Sequence, residues 1–278
     1  MHGSMIDMHC HFLPGIDDGP EDLETSLEMA RIAVDDGIYF SVLTPHIQPG
    51  KYENDKAKIS LAFSSFKQAL EAAGIPLRIA MASEVRLDLE VIQMFGREEI
   101  PFLGEVGGEE IVLLELPHSH IPLGAVRFVE RLIKQNIRPI IAHPERNQEV
   151  IRDVRNIYPF ISAGCRLQLT AGSLTGVFGR GPKRRARQLL ENDVFKVLAT
   201  DAHNLDLRPP ILSEGVAAAA AIIGEQAAQD LVYKNPASIL FGRRLAARRL
   251  DRRSLSAAGL SGLDTQPTAI QAVERRRN

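Results

Sequence analysis

Cysteine is almost missing: Cys10 and Cys165 are the only two in 278 residues. Two thiols exclude a disulfide framework and a thiolate-rich zinc cluster, so a metal bound by this chain must be held by nitrogen and oxygen. They also fit a reducing compartment, and the cytoplasm is the expected location. A thiolate phosphatase needs an arginine six positions after its cysteine, to hold the phosphate that the sulfur attacks. Ile16 and Ala171 occupy those positions, which excludes that chemistry.

Long apolar runs are absent as well. The longest near the C-terminal end is residues 216–223, far short of the roughly 20 residues needed to span a bilayer. No charged-then-apolar segment opens the chain, so neither a membrane span nor a cleavable signal is expected. Met1-His2-Gly3-Ser4 ahead of a second Met reads as an expression remnant, and His2 is set aside with it. Gly-x-Gly-x-x-Gly after the first strand candidate and a Gly-Lys-Ser/Thr loop are both missing, which weakens the common nucleotide-binding folds.

The formal charge of −2 conceals a split. Residues 243–278 carry nine arginines against Asp251, Asp264 and Glu274, or +6; the other 24 basic and 32 acidic residues leave −8 for residues 1–242. An acidic body argues against nucleic acid as a partner. The basic segment 243–278 is expected to be a solvated, partly disordered tail behind one domain at 5–242.

What is present is alternation. Short β-branched apolar runs at residues 5–9, 40–44, 77–83, 111–116, 139–143, 166–170 and 195–200 alternate with segments of helical period. Residues 21–36 show the helical case, with Leu23, Leu27, Ala30, Ile32 and Val34 among acids and Gly37 at the C-cap. Helices at 215–223 and 226–234 and a turn at 236–241 complete the compact part. Seven strands with interleaved helices admit an open doubly wound sheet or a closed parallel barrel.

The polar residues favour the barrel. His9 and His11, two apart at the end of the first strand, emerge on one side while Cys10 points to the other. Five of the eight histidines, His9, His11, His46, His143 and His203, lie within three residues of a strand's C-terminal end. Glu84, Glu115 and Asp201 lie at the same ends, and Asp17 follows the first strand. In a parallel barrel those ends share one rim, so nine side chains spread over about two hundred residues converge. That is too many for one or two ions. Three divalent ions with Glu84 as a bridge fit the count, and imidazole with carboxylate suits Mn, Fe or Zn. Arg146 and Arg208 follow ligand-bearing strand ends and are candidate phosphate contacts.

His9-Cys10-His11 with residues 13–19 (Leu-Pro-Gly-Ile-Asp-Asp-Gly), then Thr44-Pro45-His46, Ser83-Glu84-Val85, residues 142–147 (Ala-His-Pro-Glu-Arg-Asn), residues 167–174 and Thr200-Asp201-Ala202-His203-Asn204, resemble the polymerase-and-histidinol-phosphatase (PHP) superfamily. Within it, their order is similar to that of the bacterial manganese-dependent protein-tyrosine phosphatases found beside tyrosine kinases in capsular polysaccharide operons. The resemblance covers residues 5 to about 242. It implies a distorted seven-stranded (β/α)7 barrel with a trinuclear metal site at the C-terminal ends of the strands. It also implies that His9, His11, Glu84 and Asp201 hold one ion, Glu84, Glu115 and His143 a second, and Asp17, His46 and His203 a third. Cys10 and Thr170 depart from the family's usual Ser and Asn.

The activity so implied is hydrolysis of a phosphomonoester by metal-activated water, with Glu84, Arg146 and Arg208 as the catalytic residues and three Mn2+ as cofactor. The expected substrate is a phosphotyrosine protein, a membrane-associated bacterial tyrosine kinase of polysaccharide synthesis. Histidinol phosphatase is the alternative within the fold; a PHP nuclease would need a basic groove, and an idle binding module would be expected to have lost some ligands.

Overall fold

In the first strand the run Met5-Ile6-Asp7-Met8-His9-Cys10 is buried at every position, as a strand covered on both faces must be. The computed structural model describes residues 5–242 except 89, 193 and 195. The basic segment 243–278 lies outside the described residues. Among those described, ten strands form: β1 (Met5–Cys10), β2 (Ile38–Leu43), β3 (His46–Ile47), β4 (Arg78–Met81), β5 (Glu84–Arg86), β6 (Gly104–Val106), β7 (Glu109–Glu115), β8 (Ile137–Ala142), β9 (Arg166–Thr170) and β10 (Lys196–Ala199).

The fold is mixed α/β with mostly parallel sheets. One sheet has the order β1-β2-β4 and the other β10-β9-β8-β7-β5-β3, with β6 antiparallel to β7. The three strands beyond the seven expected have local causes. Pro45 lacks an N–H and interrupts the ladder, so β2 ends at Leu43 and a short new strand, β3, starts at His46. Likewise β4 ends at Met81 and β5 starts beyond Ala82-Ser83, yet pairing carries across both breaks, with the Ala82 N–H donating to the Leu43 carbonyl at 2.9 Å and that of Glu84 to the Pro45 carbonyl at 3.1 Å. Gly107 and Gly108, both at positive φ, turn β6 back onto β7. β1 and β10 meet beyond their ends through a parallel bridge between Cys10 and Ala202.

Helices cover the outer face. The first, Leu23–Asp35, is capped by Asp22, whose side chain accepts from the Thr25 N–H, and buries Met29, Ala30 and Ala33. Residues 234–242 are helical where the sequence suggests a turn. Pro236 falls in the first turn of that helix, where its missing N–H costs nothing.

Two apolar clusters follow from strand alternation. On β7, Val112 and Leu114 join the cluster that includes helix residues Met29, Phe160 and Leu189, while Ile111 and Leu113 join Ile6, Met8, Val42, Ile140 and Val197. The second cluster sets up the site. Its parity on β7 continues from Leu113 to Glu115, and from Ala82, just before the neighbouring β5, to Glu84, so both acids stand at one end of this inner apolar layer.

Candidate metal centre

His9 and His11 are fully buried with their Nε2 atoms 3.1 Å apart. Each is fixed from behind. The Nδ1 of His9 lies 3.0 Å from Gln168 Oε1, and that of His11 lies 2.7 Å from Asp17 Oδ2. Because those oxygens can only accept, each Nδ1 donates to them and Nε2 is the nitrogen each ring turns toward the shared space. Cys10 points away, its Sγ 3.5 Å from the Val42 carbonyl.

Glu84 is the centre of the cluster. Its Oε2 lies 3.2 Å from His9 Nε2, 3.4 Å from His11 Nε2 and 3.1 Å from His46 Nδ1, and its Oε1 lies 2.8 Å from His143 Nε2. Asp201 Oδ1 stands 3.3 Å from His9 and 3.6 Å from His11. Glu115 approaches His46 and His143 at 4.0 Å and takes an ion pair from Arg86 at 2.8 Å.

One expected residue moves out of the cluster and its neighbour moves in. Asp18 Oδ1 lies 3.3 Å from His46 Nε2 and 3.4 Å from His203 Nε2. Asp17 is consumed elsewhere: Oδ2 serves His11 and the His46 N–H, and Oδ1 accepts from the Gly19 N–H at 3.0 Å. Gly19 permits that fold, since a Cβ there would sit 2.5 Å from the His11 carbonyl oxygen. Asp17 Oδ2 thus faces the Nδ1 of His11, while Asp18 stands among the clustered donor atoms where the sequence reading expects Asp17.

Three sets of donor atoms lie within 4.8 Å of one another: His9, Glu84, His143 and Asp201; His46, Glu84 and Glu115; His11, Asp18, His46 and His203. The expected allocation differs in placing His143 with Glu84 and Glu115, His11 with His9, Glu84 and Asp201, and His46 in one set only. His11 borders two sets, as its approaches to Glu84 and Asp201 show. His46 Nδ1, Glu84 Oε2, Asp201 Oδ1 and His203 Nε2 are buried without a hydrogen bond. Leaving several such atoms face to face is costly unless something positive sits among them. An all-nitrogen-and-oxygen set of this kind fits divalent Mn, Fe or Zn.

The two central acids are held in their charged forms. Burial works against the charged form of Glu84, yet His9, His46 and His143 overcome it and hold the carboxyl well below the usual range. Asp201 is held low in the same way, by Arg208, His9 and Arg146 against burial. Burial, with His11 nearby, pushes His203 down to about 4. Its Nδ1 donates to the Asp201 carbonyl at 2.9 Å, leaving Nε2 unprotonated toward Asp18. Backbone strain accompanies this: His143 has φ 28° and Asp201 φ 54°. Strand parity alone would aim His143 away from the inner side, and its unusual φ re-aims it.

Arg146 and Arg208 meet at one carboxylate oxygen, Asp201 Oδ2, Arg146 through Nη1 and Arg208 through Nη2 at 2.5 Å. Phe178 lies beneath both, with guanidinium carbons 4.4 Å and 6.0 Å from its ring centre. Sequence reasoning missed Phe178, Arg86 and Gln168, and leaves out as a packing or surface residue Tyr52, which stacks on His46 at 5.4 Å. His118 lines a cleft of about 130 Å3 with Glu115, His143, Arg146 and Asn147, whereas His120 is exposed and bonded to Ser119.

Comparison with known proteins gives consistent results. A family described as capsular polysaccharide synthesis, CpsB/CapC, matches residues 5–241. The tyrosine-protein phosphatase YwqE of Bacillus subtilis is 36% identical over 204 residues, 73% of this chain and 79% of that one. The tyrosine-protein phosphatase CpsB of Streptococcus pneumoniae is 29% identical over 242 residues, 85% and 98% of the two chains. A structure from a study of these two proteins as metal-dependent tyrosine phosphatases superposes with TM-score 0.79 at 33% identity, covering 85% of this chain and 94% of that one. An organophosphorus hydrolase variant from Deinococcus radiodurans, 16% identical with TM-score 0.54 over 84% and 91% of the chains, shares the fold alone. By its sequence, fold and match over residues 5–241, the chain belongs to the CpsB/CapC family of capsular polysaccharide synthesis.

Proposed function

We propose that the chain is a metal-dependent protein-tyrosine phosphatase whose residues 5–242 form the catalytic domain, with residues 243–278 a separate basic segment. The observation that carries this reading is the convergence of five imidazoles and four carboxylates beside two arginines that share Asp201 Oδ2. The similarity to YwqE and CpsB, named as tyrosine-protein phosphatases, supports the substrate class.

His9, His11, Asp18, His46, Glu84, Glu115, His143, Asp201 and His203 would hold three divalent ions, Mn2+ foremost, with Glu84 shared between sets. Such ions, when bound, supply Lewis acidity and make water nucleophilic near neutral pH. Asp17 and Gln168 hold the Nδ1 atoms of His11 and His9, so that Nε2 is the nitrogen each would offer to an ion. Arg146 and Arg208, already at the rim, exchange Asp201 for phosphoryl oxygens and take up charge that grows toward the transition state.

The two sheets belong to one seven-stranded ring in this reading. β2 with β3 and β4 with β5 each count as a single strand, and the Cys10–Ala202 bridge joins β1 to β10. The physiological substrate is a phosphorylated bacterial tyrosine kinase at the membrane, and the enzyme works from the cytoplasm. Two unpaired thiols and the lack of a membrane-length apolar helix among the described residues are compatible with that location.

The test is a side-by-side assay of the Mn-loaded protein on phosphotyrosine peptide, phosphoserine peptide, histidinol phosphate and single-stranded DNA. Fastest turnover of phosphotyrosine is expected; preference for histidinol phosphate would replace the reading with small-molecule phosphatase.

A further inference from the structure

The helix Arg180–Glu191 starts two residues after Phe178, the ring under both arginines, and packs against the turn Pro144–Arg146 that carries one of them. Arg185, Ala186, Leu189 and Leu190 are its buried side. Its exposed side presents Arg180, Lys183, Arg184 and Arg187. That spacing of 0, 3, 4 and 7 aligns four positive charges in one stripe, roughly 10 Å long at 1.5 Å rise per residue.

This stripe has the opposite sign to the body that bears it, which totals −8 over residues 1–242. Among the described residues Arg180 and Arg184 pair with no carboxylate. Lys183 reaches only the Thr175 carbonyl, at 3.2 Å, and Arg187 makes an exposed pair with Glu191 at 3.4 Å. Like charges four apart, Arg180 with Arg184 and Lys183 with Arg187, weaken a helix rather than support it. The arrangement is explained by a partner, not by the stability of the helix.

We infer that this stripe docks an acidic segment flanking the phosphorylated residue, so that the enzyme selects phosphopeptides with Asp or Glu on one side of the phosphotyrosine. The inference rests on the phosphatase reading above. A stripe of about 10 Å matches three residues of extended chain at about 3.3 Å each. The stripe begins at Arg180, two residues past Phe178, whose ring lies under Arg146 and Arg208, so its N-terminal end is the part nearest the phosphate-binding arginines. A peptide is favoured over a membrane or nucleic acid because the stripe is short and residues 1–242 total −8, a net charge that repels large polyanions.

The experiment compares two phosphotyrosine peptides on the full-length, Mn-loaded protein, one with three glutamates on one side and one with three glutamines, the acidic run being placed on each side in turn. para-Nitrophenyl phosphate serves as the flank-free substrate. At low salt one acidic peptide should show kcat/KM roughly tenfold above its neutral counterpart, mainly through KM, and the advantage should fade near 0.3 M salt. Arg180→Glu with Arg184→Glu should abolish the advantage while leaving para-nitrophenyl phosphate turnover unchanged. Equal rates for acidic and neutral peptides, or a preference that survives the double variant, overturn the inference. So does a loss, in that variant, of binding to anionic vesicles or single-stranded DNA with no peptide preference in the parent. Should no phosphotyrosine substrate be turned over, the phosphatase reading fails by itself. Fluorescence anisotropy of the unphosphorylated acidic peptide, weaker on the double variant if the stripe docks it, then decides docking independently.

Discussion

Asp17 Oδ2 lies 2.7 Å from the Nδ1 of His11, behind the ring and away from the donor cluster. A carboxylate in that position fixes which nitrogen carries the proton and raises the basicity of the other. Its chain neighbour Asp18 faces forward, toward His46 and His203. Adjacent acids thus face opposite ways, Asp17 toward the back of one imidazole and Asp18 toward two others.

Asp18→Asn should therefore remove a charged donor and lower the metal bound per chain. Asp17→Asn should keep the donor set and weaken metal affinity or turnover by about 10- to 100-fold through a misoriented His11. Metal counting by mass spectrometry on both variants, with turnover at saturating Mn, checks the division. A greater metal loss in Asp17→Asn would restore Asp17 to the donor set.

Chelation should abolish turnover of aryl phosphates, and Mn should restore it best. Glu84→Ala should be among the most damaging single changes, since its two oxygens approach four imidazoles. Full activity in demetallated protein, or near-normal turnover in Glu84→Ala, would contradict the assignment.

Arg146→Ala and Arg208→Ala should each retain metal yet lose about one to three orders of magnitude in turnover, because a charge-assisted contact that strengthens in the transition state is gone. Lys should rescue only in part, since an ammonium lacks the planar fork. Because both side chains meet Asp201, the double variant should lose less than the sum of the two effects. Strict additivity would mean that they act on separate groups.

The thiols should be silent. Burial pushes the Cys10 thiol well above its usual range and that of Cys165 up to about 12. Neither should react with iodoacetamide at pH 7.5 in the native protein, while both should react in urea. Cys10→Ser and Cys165→Ser should remain active.

Burial raises the Asp7 carboxyl from 3.8 to about 6, against the hydrogen bonds it accepts from Thr200. The folded state thus binds this proton more tightly than the unfolded chain. The stability gained from protonation is fully present below pH 3.8 and is lost as pH rises through about 6. A shift of this size is worth about 3 kcal/mol. In chelated protein, urea unfolding of Asp7→Asn relative to the parent should shift in favour of Asn between pH 4.5 and 7.5. A pH-independent difference would mean that Asp7 titrates alike in both states.

What the sequence by itself determined was whatever depends on neighbours along the chain. Alternation and periodicity gave the strand runs and the first helix, and two-residue spacing placed His9 and His11 on one side with Cys10 on the other. Donors at strand ends pointed to a common rim because parallel strands end together. What only the tertiary structure decided was where loops and long side chains finish. The choice between Asp17 and Asp18 depends on a loop folding back over the His11 carbonyl, with no room for a Cβ at Gly19. The meeting of Arg146 and Arg208 on Asp201 joins segments 55 residues apart, and the turn of His143 into the site comes from a left-handed backbone that strand parity does not foresee. Gln168 gives no local signal, since its role exists only where β9 passes behind His9. Local pattern acts through bonds and near neighbours; the final aim of a side chain is set by what packs against it from the rest of the fold.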